Sequence, residues 1–239
     1  VSVRRAARLS GDVPHARDLT GGGRLAYLPA FCARDEAARL FVTLLDEVPL
    51  AERTVRLFGR EVPEPRRSAW LGEPEAVYTY SGVEHRPAPL TPTLSALLAR
   101  LERELGARFN AVLVNHYRDG RDSMGLHADD EPELGREPTI ASVSLGGPRR
   151  FWLRPRRGQL GEALELELAS GSLLVMAGAL QATHLHGVPK EREAAPRLNL
   201  TFRWVEPARG RGAAQGRRSP ARRSGREADK GLNPEPKAR

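Results

Sequence analysis

From residue 110 onward the chain breaks into short stretches of β character. They are Ala111-Val-Leu-Val-Asn-His-Tyr117, Thr139-Ile-Ala-Ser-Val-Ser-Leu145, Phe151-Trp-Leu-Arg154, Leu164-Glu-Leu-Glu-Leu168, Leu173-Leu-Val-Met-Ala177 and Leu198-Asn-Leu-Thr-Phe-Arg-Trp-Val205. Turn-forming residues separate them, as expected of strands. Upstream the period changes. Across residues 35–48, Ala37, Leu40, Phe41, Leu44, Leu45 and Val48 fall on one side of a helix. Thr91-Pro92 supplies an N-cap and a first-turn proline for a second helix, whose stripe is Leu94, Leu97, Leu98, Leu101 and Leu105. Residues 55–58 and 77–80 read as strands around a Pro/Arg-rich loop. Two helices followed by many short strands predict an α+β chain, a β-sandwich or jelly roll with the N-terminal helices covering one face.

The two ends read differently. Residues 1–22 are Arg/Ala-rich without clear periodicity and are expected to form a flexible lead. Residues 206–239 are rich in Arg, Gly, Ser and Pro, and they bury too little apolar area to offset the entropy of ordering. This expected disordered tail holds 10 Lys and Arg against 4 Asp and Glu, or +6 of the net charge of +8. The remainder is nearly balanced, so a nucleic-acid surface on the folded part must be a local patch. No apolar stretch approaches ~18 residues, so no membrane span is expected. No apolar segment follows the basic residues near the start, so no secretory signal is expected either. The one cysteine, Cys32, excludes an internal disulfide and fits a reducing cytoplasm. A chain of 239 residues, 40% hydrophobic, is long enough for one well-buried domain.

The chemistry concentrates in His127-Ala-Asp129 and the segments after it. Two histidines and one carboxylate on one side of a metal leave the opposite positions open, which suits a non-haem Fe(II) oxygenase. The two residues of an H-x-D pair point the same way on an extended strand. Of the six histidines, His15, His85, His116, His127, His184 and His186, only His127 sits in such a pair. His184 and His186 are two apart, so strand periodicity does not choose the distal ligand between them. Arg197 and Arg203 add a second clue, since guanidinium forks match carboxylates and a 2-oxo acid carries two of them.

Taken in order, Asn115-His-Tyr117, Gly125-Leu-His127-Ala-Asp129-Asp130-Glu131, Ile140-Ala-Ser-Val-Ser-Leu-Gly146, Gly171-Ser-Leu-Leu-Val-Met176, His186-Gly-Val-Pro189 and Arg197-Leu-Asn-Leu-Thr-Phe-Arg203 resemble the AlkB family. These are Fe(II)/2-oxoglutarate dioxygenases that demethylate alkylated nucleic-acid bases. The likeness spans residues 23–205 and implies one domain there, a double-stranded β-helix. It implies Fe(II) held by His127, Asp129 and His186, with 2-oxoglutarate and O2 as co-substrates. The family pattern selects His186 over His184. Arg197, helped by Tyr117 and Asn199, would anchor the distal carboxylate of 2-oxoglutarate. Arg203 and Asn115 would lie near the carboxylate that chelates the metal. No protein nucleophile is implied. The chain departs from the pattern at Thr183-His184, where bacterial relatives often have His-Trp, and at Leu71, where relatives commonly have Tyr.

The resemblance also bears on the substrate. Asp130 and Glu131 form an acidic pair suited to a cationic N-methylated base. Val55-Arg-Leu57-Phe58-Gly59 and Pro65-Arg66-Arg67-Ser-Ala-Trp70-Leu-Gly72 resemble the duplex-DNA repair branch. There Phe58 would fill the space left by a flipped base. Trp70, Tyr78 and Tyr80 would stack on the extruded base. Arg66, with Arg60, Arg67 and Arg86, would contact phosphates. The implied activity is oxidative demethylation of N-alkylated bases in nucleic acid, DNA in the first place, by a cytoplasmic monomer. Formaldehyde, succinate and CO2 would be released. The alternatives are the same chemistry on RNA or protein side chains, and a non-catalytic nucleic-acid-binding relative.

Overall fold

Strand alternation and two amphipathic helices account for nearly all of the architecture. The computed structural model describes residues 17–57, 60–80 and 83–207. The N-terminal half holds β1 (Arg17–Leu19), β2 (Gly23–Leu28), α1 (Arg34–Glu47), β3 (Ala51–Leu57), β4 (Arg60–Gly72), β5 (Tyr78–Tyr80), β6 (Val83–His85) and α2 (Pro92–Leu105). Then come β7 (Ala111–Tyr117), β8 (Met124–His127), a 3-10 turn at Pro132–Leu134, β9 (Ile140–Gly146), β10 (Arg149–Pro155) and β11 (Leu164–Leu168). The chain continues through β12 (Leu173–Gly178), a single turn α3 (Leu180–Thr183), β13 (His184–Val188) and β14 (Arg197–Arg203). An eight-stranded sheet runs β1-β2-β12-β9-β14-β7-β4-β3, and a four-stranded sheet runs β11-β10-β13-β8. The small hairpin β5-β6 stands apart from both. This is the expected jelly roll.

The helices form where the periodicity places them. Thr91 Oγ1 accepts the Leu94 N–H at 3.2 Å, and Gly106 closes α2 in a left-handed conformation with φ 61°. Leu94, Leu97, Leu101 and Leu105 of α2 join Ala37 and Leu44 of α1 against one face of the large sheet. That face is made of Val112 and Val114, Ala141 and Val143, Leu173 and Val175, and Leu198, Leu200 and Phe202.

The opposite face of the same strands looks into the jelly roll. Part of it is apolar: Ile140, Leu174 and Met176 meet Phe151, Leu153, Leu168 and Val188. The rest is polar and equally buried, comprising Asn115, Ser142, Ser144, Arg197, Asn199, Thr201 and Arg203. Polar groups withdrawn from water need partners, so this stretch of the inner face forms the wall of a cavity rather than a core.

Three expectations need correction. Residues 17–19 are not part of a flexible lead, because they pair with β2 as an edge strand. The anticipated Pro/Arg-rich loop is the long strand β4. Its pairing with β7 runs only from Arg67 to Gly72, so Pro63 lies where β3 is the only paired strand, and Pro65 sits at the irregularity in that pairing, its carbonyl accepting the Ser123 N–H at 2.9 Å. An edge stretch tolerates proline because no N–H is required there. The last expected strand ends at Arg203 rather than at residue 205. Residues 1–16, Phe58 and Gly59, and all but the first two residues of the expected tail lie outside the described residues.

Candidate active site

Antiparallel pairing of β8 with β13 sets His127 opposite His186, with ring centroids 4.3 Å apart. Gly187 permits this approach: a Cβ there would lie 2.8 Å from the Met124 carbonyl oxygen. Asp129 is not on the strand, as the H-x-D reading expected, but two residues beyond its end. Its backbone N–H donates to Gln181 Oε1 at 3.0 Å. That bond holds the carboxylate between the two imidazoles, with Oδ1 4.0 Å from His127 Nε2 and Oδ2 3.8 Å from His186 Nε2. One ligand atom from each residue falls within 4.8 Å of the others.

The rings are fixed from behind. His127 Nδ1 lies 3.0 Å from the Gly125 carbonyl oxygen, a bond that puts the proton on Nδ1 and leaves the Nε2 lone pair inward. His186 stacks on Phe151 at 5.6 Å and 25°. Burial, then the neighbouring His127, pushes the His186 imidazole down to about 3, and burial lowers His127 as well. Burial alone would raise Asp129. Arg203, which donates to Oδ1 at 2.7 Å, and the two histidines outweigh it and hold the carboxyl at about 2. Neutral imidazoles beside an ionised carboxylate are the protonation states a divalent metal binds. Asp129 Oδ2 is buried without a hydrogen-bond partner. The three residues therefore fit a metal ion.

His184 is not part of this group. It is buried, with Nδ1 2.9 Å from Thr183 Oγ1, and it packs against Gly161, where an added Cβ would meet Nε2 at 2.6 Å.

A cavity of about 410 Å³, counting space open to solvent, leads away from the triad between the sheets, lined by Asn115, Tyr117, Ser142, Phe151, Leu168, Met176, Arg197, Asn199 and Thr201 among others. Arg197 belongs to its polar wall and is wholly buried. Nη2 donates to Ser144 Oγ at 2.9 Å, and the Tyr117 ring lies 5.3 Å away, while Nε and Nη1 have no hydrogen-bond partner. Burial lowers this guanidinium to about 10. A buried cation so poorly matched costs several kcal/mol in the folded chain. An anionic ligand in the cavity would offset that cost. Asn199 is already engaged: its Nδ2 donates to Ser142 Oγ at 2.7 Å, and its Oδ1 accepts from Thr201 Oγ1 at 3.1 Å.

Residues 24–203 match the 2OG-Fe(II) oxygenase superfamily. The chain is 41% identical over 197 residues to the human alpha-ketoglutarate-dependent dioxygenase alkB homolog 3, covering 79% of this chain and 68% of that protein. It is 38% identical over 214 residues to the mouse DNA oxidative demethylase ALKBH2, covering 84% of this chain and 89% of the relative. The chain belongs to the AlkB family. The solved structure of OsALKBH1 shares the fold, with a TM-score of 0.52 and 18% identity over 75% of this chain and 97% of that one.

In this AlkB-family chain a second opening reaches the triad from outside. It is a cleft of about 580 Å³, counting its solvent-open mouth. The cleft and the co-substrate cavity share Leu113, Met124, His127, Asp129 and Arg203, so the two meet at the metal position. Trp70 forms part of the cleft wall, its Nε1 donating to the Ala76 carbonyl at 3.0 Å. Glu131 also lines it, and burial raises its carboxyl above the usual range.

Asp130 does not join Glu131. It is exposed and paired with Arg156, because successive residues of an extended segment face opposite ways. Arg66 is corrected too. It is buried against Glu64 and Asn115 rather than offered to a phosphate backbone, though it lines the cleft. Arg67 and Arg86 are exposed. Tyr78 and Tyr80 lie on β5, and Phe58 is outside the described residues.

The sequence reading passed over several residues that shape the site. Glu64, Arg53 and Ser68 line the cleft, Gln181 holds the Asp129 backbone, and Ser144 holds Arg197. Ser142 and Ser144, alternating within the β9 motif, carried a readable signal. Gln181 carried none.

Proposed function

We propose that this chain is an Fe(II)- and 2-oxoglutarate-dependent dioxygenase that removes alkyl groups from nitrogen atoms of nucleic-acid bases, with DNA as the substrate. One observation carries the reading: a His127–Asp129–His186 triad stands at the meeting point of two cavities, and one of them is walled by the under-partnered, fully buried Arg197. The name of the mouse relative, a DNA oxidative demethylase, supports the substrate class, and that of the human relative supports the co-substrate.

Fe(II) at the triad, with 2-oxoglutarate and O2, supplies oxidation of the N-methyl group to a hydroxymethyl group, which leaves as formaldehyde while succinate and CO2 form. The protein's own residues bind, orient and enclose. Arg197, wholly buried, takes the distal carboxylate of the co-substrate. Arg203 holds Asp129 ionised and in place. Trp70 and Leu134 give the base cleft apolar walls, and Glu131 puts a carboxyl where a cationic methylated base would lie. Asp129 and His186 are 4% and 5% exposed, so a base must leave its stack to reach the metal.

The reading is tested with full-length protein, Fe(II) and an oligodeoxynucleotide carrying 1-methyladenine or 3-methylcytosine. Formaldehyde should appear only with 2-oxoglutarate and in step with succinate. Succinate formation that ignores the methylated strand, with no formaldehyde, would move the substrate to another class. A preference for methylated RNA over DNA of the same sequence would overturn the choice of DNA alone.

A further inference from the structure

A buried chain of polar contacts crosses from the substrate cleft to the co-substrate cavity. Glu64 and Arg66, on β4, are 9% and 8% exposed, and Asn115, on the neighbouring β7, is 1% exposed. Glu64 Oε1 lies 3.2 Å from Arg66 Nη2, and Glu64 Oε2 accepts from Ser68 Oγ at 3.2 Å. Arg66 Nε in turn donates to Asn115 Oδ1 at 2.9 Å. Glu64 and Arg66 line the cleft, whereas Asn115 lines the co-substrate cavity.

Chemistry fixes the direction of this chain. A guanidinium has donors only, so the Asn115 amide must turn its oxygen to Arg66. Its NH2 group is then the end left for the cavity. An amide in that orientation offers donors to a carboxylate, and the flipped amide would present an oxygen that repels one. Arg66 can hold it only while its own buried charge is balanced, and Glu64 supplies the balance. Both Glu64 oxygens are committed to this chain, which makes it a clamp rather than a reader of the base.

We propose that Glu64 is a positioning residue for the co-substrate, acting through Arg66 to aim the Asn115 amide donors into the 2-oxoglutarate cavity. The inference rests on the co-substrate reading above.

Titration calorimetry of 2-oxoglutarate into full-length protein loaded with Mn(II) tests this without turnover. Glu64→Gln should weaken binding about tenfold, the loss of one well-aimed charge-assisted hydrogen bond. Asn115→Ala should weaken it comparably, and the double variant no further, since the two act through one contact. Mn(II) affinity and the KM for the methylated oligonucleotide should stay within about twofold of wild type. If Glu64→Gln does not fold, Arg66→Lys reads the same link: it keeps the charge beside Glu64 and loses the Nε donor. Co-substrate affinity unchanged in Glu64→Gln, additive losses in the double variant, or an oligonucleotide KM that alone rises would each overturn the inference. The last outcome would make Glu64 a direct base contact. Wild-type protein that takes up no 2-oxoglutarate would bring down the functional reading and this inference together, whereas normal uptake by both proteins removes only the inference.

Discussion

The two faces of β14 were built from one heptapeptide to opposite ends. Leu198, Leu200 and Phe202 point to the helices and join a core that includes Leu44, Leu94 and Leu101. Arg197, Asn199, Thr201 and Arg203 point into the jelly roll and are as thoroughly buried. The first face stabilises by removing apolar area from water, on the order of 25 cal/mol per Å². The second withdraws two guanidinium groups from water, which opposes folding. A strand carrying both teaches that burial alone does not identify a core. What separates the faces is whether each buried group is matched within the fold. The helix side is complete; on the cavity side Asp129 pairs with Arg203 and Ser142 with Asn199, while Arg197 has Ser144 and leaves Nε and Nη1 without a hydrogen-bond partner.

The comparison breaks most visibly at the triad. His127→Ala, Asp129→Ala and His186→Ala should each reduce formaldehyde release by ~10³-fold or more, since an open three-ligand site has no spare donor. His184→Ala should leave most of the rate, because His184 packs against Gly161 instead. A dead His184→Ala with an active His186→Ala would reverse the ligand assignment. On the helix side, Phe202→Ala should cost about 3–5 kcal/mol in denaturant unfolding, the usual loss for a buried aromatic. The protein that remains folded should keep its KM for 2-oxoglutarate. Arg197→Lys retains a cation but loses the planar fork, so that KM should rise ~10-fold or more with metal content unchanged. An unaltered KM would remove Arg197 as the anchor.

The smallest effect concerns Cys32, on the helix side. Burial, reinforced by Glu36, raises its thiol to about 11. A raised thiol stays protonated until the pH approaches that value, so at pH 8 iodoacetamide should label native protein far more slowly than urea-unfolded protein. Equal labelling rates would show that this side opens readily and is not the closed core described.

Much of this was legible in the sequence, and the reasons are local. The two helices were readable because six and five apolar residues repeat at helical spacing, and Thr91-Pro92 marks a start. The β7, β9, β10, β11, β12 and β14 strands were readable as short β runs between turns. The triad and its arginines were readable as motifs. Pairing was not. β4 hid behind Pro63 and Pro65 because nothing local says that its first half pairs with one strand only. The inward turn of Arg66 depends on Glu64 two residues before it and Asn115 forty-nine residues after it. The pair Asp130-Glu131 was read as one acidic patch, while the backbone sends one carboxylate out and one in. The same holds for β1, three residues that become a strand only because β2 lies beside them.

The central claim, that the buried charge on the inner face of β14 is kept for a ligand and not for stability, is tested most directly by thermal unfolding. Wild type and Arg197→Met would be melted with Mn(II), with and without saturating 2-oxoglutarate. Replacing buried ionic groups by well-packed apolar side chains of similar volume is often neutral or stabilising, by about 1–4 kcal/mol for whole ion pairs. The account therefore predicts that Arg197→Met melts at or above the wild-type temperature without the co-substrate. Only wild type should gain Tm when 2-oxoglutarate is added. A variant that melts well below wild type and still gains as much from 2-oxoglutarate would contradict it, making Arg197 a structural residue and leaving the cavity without its anchor.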